Sequence, residues 1–363
     1  MDELHKNLNS QIKIFYEIIS RNNKFGSFRV GDFKFFYKVL NINDYNREFK
    51  GYNIIKKYYD VEKLLINLSN DKTGILIYVY DEEIGDDKGL LVDYYASNEK
   101  LDKQFFHIID IYKNVFKATL KYTITNSCDI FYKNRVDSRL KKYYDDNFLE
   151  KYSKNEKILF NGKNIQLNLK LIKKELEEYY SENNRKYWSI ISQCDPTDLN
   201  ITMKGKMIDY LAGGENPLMA EFAMFIWQNV SIGNYLAIKY NSKYFCNHPK
   251  IKSKIDTIEY NHVNKTLFHY IRNIRLESII YYIDELLIPL MAEIDYKDWY
   301  NDLKNFIGIK TVTIFDLNIM EEKDKYLSLC YLHLFYSNNF KSLEELRAFL
   351  INFYQKISIS NSV

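Results

Sequence analysis

Between Lys243 and Arg275 the chain gathers Lys243, Lys250, Lys252, Lys254, Lys265, Arg272 and Arg275 against only Asp256 and Glu259. The formal net charge of all 363 residues is +3, so this segment is where a polyanion would meet the protein. If residues 256 to 275 are helical, His262, Lys265, His269 and Arg272 recur every three or four residues and share one face. Val263, Leu267, Ile271 and Ile274 form the apolar face. Lys250, Lys252 and Lys254 alternate upstream, and Arg275 closes the stretch. Such a stripe suits RNA or DNA phosphates, and Tyr244, Phe245, Tyr260, Phe268 and Tyr270 are interleaved where they could stack on unpaired bases. The expected nucleic-acid-binding residues are therefore Lys250, Lys252, Lys254, His262, Lys265, His269, Arg272 and Arg275. Cys246, His248, His262 and His269 are also zinc-ligand types. On one helix, though, residues seven apart are separated by about 10 Å of rise, too far to share an ion, and no metal is expected.

Other chemistry-bearing groups are sparse. Five carboxylates between Asp81 and Asp87 lack the ordered ligand spacing of a calcium loop, and a charged hairpin tip that discourages edge pairing explains them. Glu221 lies inside the apolar run from Pro217 to Ile238, where a carboxylate must be paired, protonated or turned to a cavity. A helix-edge position or a core salt bridge is the expectation there. The phosphate loop G-x-x-x-x-G-K-[ST] and the patterns G-x-G-x-x-G, H-E-x-x-H and G-x-S-x-G are all absent, so no cofactor is expected.

The elements that must position these residues read as α+β. An amphipathic helix is expected over residues 2 to 21, then paired strands over Phe28–Val30 and Phe33–Leu40, and a helix from Ile54 to Leu68. Strands are expected over Gly74–Tyr80 and Gly89–Tyr95, a helix over Leu101–Phe116, and a β-like run over Thr119–Tyr132. Asn161-Gly162 between two apolar runs signals a type I′ hairpin. Beyond it the pattern becomes mostly helical, with a β-like exception at Ile309–Phe315. Gly213-Gly214 is expected to close one helix before Pro217 opens the next, and Ser342-Leu343-Glu344-Glu345 reads as a capping box. The division is a mixed α/β domain with hairpins over 1–155 and a predominantly helical domain over 156–363 that starts with a short hairpin. Four dispersed cysteines and no long apolar span point to the cytoplasm, of a host cell or within a virion, and away from a membrane.

The wealth of Lys, Asn, Ile, Tyr and Phe fits an AT-rich genome, viral or phage origin included. Met1-Asp2-Glu3-Leu4 with Lys6-Asn7, Phe15-Tyr16-Glu17 and Ile42 to Arg47 resembles the N-terminus of the poxvirus mRNA-capping enzyme small subunit. That resemblance covers fewer than fifty residues, carries over no functional residue, and implies a non-catalytic activating partner of a capping methyltransferase. The main expectation is a non-enzymatic subunit that binds RNA or DNA, with other protein subunits as partners. Alternatives are a structural interaction protein of a virion-like assembly, whose tyrosines make subunit contacts, and an enzyme acting on phosphate esters through His262, His269 and Arg272.

Overall fold

The computed structural model describes residues 24–30, 32–80, 89–153, 156–240, 251 and 256–358. Strands β1 (Phe25–Val30) and β2 (Phe33–Asn41) pair antiparallel, as their aromatic alternation predicts. With β3 (Leu64–Ser69) and β4 (Thr73–Val79) they form a sheet of order β1-β2-β4-β3. Helix α1 (Ile42–Ile55) follows β2 directly; the Asn41 side chain caps it by accepting from the Asp44 amide at 3.0 Å. Its inward stripe is Tyr45, Glu48, Tyr52 and Ile55, a helical spacing that includes one carboxylate.

After α2 (Leu91–Ser97) and α3 (Lys103–Thr119), strand β5 (Lys121–Ile124) pairs with β8 (Lys186–Ser192), which pairs with β9 (Gly214–Pro217). Strands β6 (Lys157–Phe160) and β7 (Lys163–Gln166) form the expected hairpin, with Asn161 and Gly162 at φ of 46° and 76°. They join β10 (Thr257–Asn261) and β11 (Thr266–Tyr270) in a second four-stranded sheet. The rest is helical: α4 (Leu169–Ser181), α5 (Leu218–Val230), α6 (Gly233–Tyr240), α7 (Asn273–Tyr282), α8 (Trp299–Thr313), α9 (Glu322–Tyr336) and α10 (Leu343–Ser358). The fold is α+β, with sheets and hairpins leading into a helical C-terminal region. Every residue of α5 is buried, the signature of a helix that is apolar all round and packed on all sides. No helix among the described residues is long and apolar enough to cross a membrane.

Several local expectations are corrected. Helix spans 42–55, and the run expected to be helical to Leu68 ends in β3. Gly89–Tyr95 becomes α2, because Asp93 reaches back to the Leu90 amide at 3.2 Å and caps a helix. Ile309–Phe315 belongs largely to α8; burial of both its faces overrides the β-branched composition. Gly213-Gly214 ends no helix: Gly214 opens β9. Residues 257–270 are a hairpin. The Asn261 side chain accepts from the Val263 and Asn264 amides at 3.0 and 3.3 Å, a turn signal that outweighs the helix-like spacing of the apolar residues. The Ser342 half of the capping box holds, with the Glu345 amide bonded to Ser342 Oγ at 3.3 Å and Leu346, Leu350 and Phe353 buried behind it, while the Glu345 carboxylate accepts from the Lys341 amide at 2.7 Å. The expected helix over 2–21 and the acidic loop 81–87 lie outside the described residues.

Candidate active site

Strand periodicity puts Phe36, Lys38 and Leu40 on the face of β2 that turns toward α1. There they wall a cavity of about 430 Å³, together with Glu48, Ile208, Asp209 and Leu211. Lys38 Nζ lies 2.6 Å from Glu48 Oε1 and 3.2 Å from Asp209 Oδ1. Burial works against the Lys38 ammonium, yet Asp209, Glu48 and Glu62 around it push its pKa above the ordinary lysine value. Burial pushes the Glu48 carboxyl up to about 7 while Lys38 pulls against the shift. Asp209 goes the other way: burial is outweighed by Lys38, which holds its carboxyl below the usual range. Its side chain is 46% exposed, so it offers a charged oxygen to the cavity.

Two loops bring the remaining groups. Beyond β8 the chain runs Gln193-Cys194-Asp195-Pro196-Thr197-Asp198-Leu199-Asn200. A small hairpin follows, in which Ile201 bridges Met207 around Gly205 at φ 79°. The hairpin returns the chain on itself, so the Ile208 amide bonds the Asn200 carbonyl at 3.0 Å and Asp209 stands beside Asn200. Gln193 Nε2 donates to the carbonyls of Ile208 and Asp209, both at 2.6 Å, which ties the two loops together. Asn200 Nδ2 donates to Asp195 Oδ2 at 3.1 Å and to its carbonyl at 3.0 Å. With the amide nitrogen so engaged, the Asn200 oxygen is the atom left to accept a hydrogen bond or bind a cation, and Asn200 lines the cavity. On α8, Lys310 Nζ stands 3.6 Å from Asp195 Oδ1. Burial raises the Asp195 carboxyl above its usual value, with Lys310 opposing and Asp209 adding to the shift.

The supports are tight. A Cβ at Gly51 would overlap the Tyr210 carbonyl, so α1 approaches the Asp209 loop as closely as backbone allows. Asp198, inside the 195–200 loop, is held by Arg275 at 2.6 Å and by Gln228 at 2.8 Å. Chemically, a strand lysine paired with a helix glutamate binds nucleotide phosphates in protein kinases. There, an aspartate followed five residues later by asparagine supplies the base and a metal ligand, and a second aspartate supplies the other metal ligand. Lys38, Glu48, Asp195, Asn200 and Asp209 reproduce that set. The departures are Gln193 and Cys194 before the first aspartate, Tyr210-Leu211 after the second, and no G-x-G-x-x-G between β1 and β2.

No family model matches the chain, and no curated protein matches it. Among solved structures, the chain is similar to a thermostable mutant of aminoglycoside phosphotransferase APH(4)-Ia in ternary complex with AMP-PNP and hygromycin B. The two share 8% identity and a TM-score of 0.45, over 86% of this chain and 88% of that one. The same enzyme without the stabilising changes gives 10% identity and a TM-score of 0.35, over 78% and 88%.

The expectation of a non-enzymatic, nucleic-acid-binding viral subunit is corrected. The supposed cationic helix is the β10–β11 hairpin running into α7, and Lys265, Arg272 and Arg275 are paired within the fold. The readings as a virion component and as a capping-enzyme subunit go with it. Lys265 pairs with Glu156 at 2.9 Å. His269 is fully buried between Asp256, at 3.1 Å from Nε2, and Tyr331, at 2.6 Å from Nδ1. Arg272 donates to the carbonyls of Tyr95 and Asn98 and pairs with Glu99, tying α7 to the end of α2. Arg275 is 3% exposed and bonds Asp198 and Asn229. His262 alone of these described residues is exposed, at the hairpin turn. Lys250, Lys252, Lys254, Cys246 and His248 lie outside the described residues. His262, His269 and Arg272 are not gathered into a His/Arg site, since one is at a turn, one in the core and one bound to α2. Glu221 is fully buried rather than at a helix edge, and it is in no core ion pair among the described residues. The sequence signal that marks the site instead is D-x-x-x-x-N at 195–200 with Ile208-Asp209 after a glycine-bearing turn.

Proposed function

We propose that the protein is a nucleotide-dependent phosphotransferase. The observation that carries this is Lys38, held between Glu48 at 2.6 Å and Asp209 at 3.2 Å on the wall of the 430 Å³ cavity. Apolar walls (Phe36, Val39, Leu40, Ile208) suit a nucleobase, and the size fits a nucleotide. Lys38 would bind the nucleotide phosphates, with Glu48 fixing its direction. Asn200 and Asp209 offer the hard oxygen donors that magnesium takes when phosphates and waters complete its shell. The ion, when bound, neutralises charge on the phosphates. An acceptor hydroxyl oxygen then attacks the γ-phosphorus, the bond to the β-phosphate oxygen breaks, and its electron pair leaves with the nucleoside diphosphate. The hydroxyl proton passes to Asp195, whose raised basicity suits that role. The free, buried Cys128, Cys194 and Cys330 accord with work in a reducing cytoplasm. The test is titration calorimetry with AMP-PNP and magnesium. Wild type should bind and Lys38→Met should lose most of that affinity; equal binding by both, or none by the folded wild type, removes the proposal.

A further inference from the structure

The sheet that presents Lys38 on one face carries a second apolar face behind it. Antiparallel register puts Phe28 opposite Phe35, Tyr37 opposite Ile77 and Val39 opposite Ile75, all on the side away from Lys38. An antiparallel sheet with a solvated face alternates apolar and polar residues, whereas this one is apolar on both sides and calls for a cover on each. Helix α1 takes the Lys38 side, where Glu48 meets the lysine. On the other side Tyr37, Ile75 and Ile77 are 2%, 0% and 1% exposed. Side chains stand away from the plane of a sheet, and neighbouring strands alone do not seal their tips. Among the described residues, the hydrophobic side chains packed against these three are Phe28, Phe35, Val39 and Ile66, all from the sheet itself. The cover comes from elsewhere.

This face is sealed at one end and open at the other. At the sealed end the Val39 amide donates to the Lys24 carbonyl at 2.6 Å, so the chain enters β1 there. At the far end Val30 pairs with Phe33 and Phe35 with Val79; Phe33 is 72% exposed, and Val30 and Val79 are exposed as well. The acidic stretch 81–87 leaves the sheet at this open end, where the Tyr80 amide bonds the Lys34 carbonyl, and five carboxylates make poor cover for apolar side chains. Residues before Lys24 reach the sheet at the sealed end instead. Their apolar stripe, Leu4, Leu8, Ile12, Phe15 and Ile19, has helical spacing. As a helix it is about 22 Å long, close to the roughly 23 Å of the β4 strand. The four residues between Ile19 and Lys24 span up to about 13 Å, enough to lift a helix off the strand plane. We propose that residues 4–19 cover this face as an amphipathic helix with that stripe inward. The short tether makes the contact intramolecular, at an effective concentration in about the millimolar range, so a second copy competes poorly for the face. The strand that carries Lys38 is thereby braced from behind. None of this rests on the phosphotransferase reading.

The test places the photo-crosslinking residue p-benzoylphenylalanine at Ile12 of the full chain and, in a parallel arm, at Lys13, on the opposite side of the stripe. Dilute protein is irradiated, digested and read by mass spectrometry. From Ile12 the links should stay within one chain and fall on peptides containing residues 35–39 or 75–77. From Lys13 the same links should be at least several-fold weaker. Links between two copies would give the face to a second copy, and links to neither peptide, or equal yields from both positions, would take residues 4–19 off it. Each of these outcomes overturns the inference. Thermal melting gives an independent reading. Ile12→Asp should lower the melting temperature by about 4–8 °C, and Lys13→Asp should leave it within about 1 °C. Equal shifts in the two variants also overturn the inference.

Discussion

Asp195 and Arg275 separate two roles that charge alone makes look alike. Asp195, bonded by Asn200 at 3.1 Å, is the base in the phosphotransferase reading we propose, and its removal should touch chemistry more than binding. Asp195→Asn should lower the turnover of nucleotide by at least about 100-fold, with AMP-PNP affinity in calorimetry within a few-fold of wild type. Arg275 is a cation whose task is internal: it holds Asp198, and so the shape of the 195–200 loop. Arg275→Met leaves the buried Asp198 carboxylate without its counter-charge and should cost about 3–5 kcal/mol in urea unfolding. A surface cation would cost within about 0.5 kcal/mol. That contrast measures how far the basic segment is structure and how far it is surface.

At the scale of elements, the site depends on how closely α1 and the Asp209 loop approach. Tyr45, Glu48, Tyr52 and Ile55 share one helical stripe, so seating the apolar residues in the core also seats Glu48 against Lys38. Gly51 lets the helix lie on the Tyr210 carbonyl. Gly51→Ala should cost about 1–3 kcal/mol by overpacking and should weaken nucleotide binding along with stability. Were it to destabilise the chain while leaving affinity unchanged, α1 would not be what places Glu48. These local relations were partly legible: the β1–β2 pairing, the Asn161-Gly162 hairpin and the Ser342 cap all rest on neighbours in sequence, and all appear. The β10–β11 hairpin was not, because Val263, Leu267, Ile271 and Ile274 imitate helical spacing while a single Asn261 side chain sets the turn.

At the scale of the molecule, the aromatic wealth of the described residues is mostly interior. Tyr94, Tyr95, Tyr112, Tyr132, Tyr144, Tyr210, Tyr282 and Tyr331 are fully buried, which removes them from the subunit contacts expected of tyrosines. Tyr132 and Tyr300 donate to main-chain carbonyls of Ala220 and Phe335 at 2.8 and 2.6 Å, so the polar end of a large ring is satisfied in place. Glu221 stands in this aromatic interior, near Tyr59, Tyr112 and Tyr282, and burial pushes its carboxyl from 4.5 up to about 8, Ser192 and the Cys194 backbone opposing. Between those pH values the folded chain keeps a proton that the unfolded chain has released, so each rise in pH favours unfolding. Stability should therefore fall from pH 5 to pH 8, at up to about 1.4 kcal/mol per pH unit. Glu221→Gln should flatten that decline in urea titrations run across the window. An unchanged pH profile in the variant would place the titrating group elsewhere.

Sequence by itself determined the strand alternation that turns Lys38 inward, the hairpin at Asn161-Gly162, the C-terminal cap and the apolar helix around Glu221. Each follows from spacing over a few residues. It also located an excess of charge, but not its direction, because whether a lysine or arginine faces solvent depends on what lies opposite it after folding. Only the tertiary structure decided that Arg272 and Arg275 turn inward and that His269 is core. Only it brought Lys38, Glu48, Asn200 and Asp209, spread over more than 170 residues, to one cavity, with Asp195 hydrogen-bonded to Asn200. Residues that far apart meet through sheet register and helix packing, and no local pattern of charge or hydropathy records that meeting.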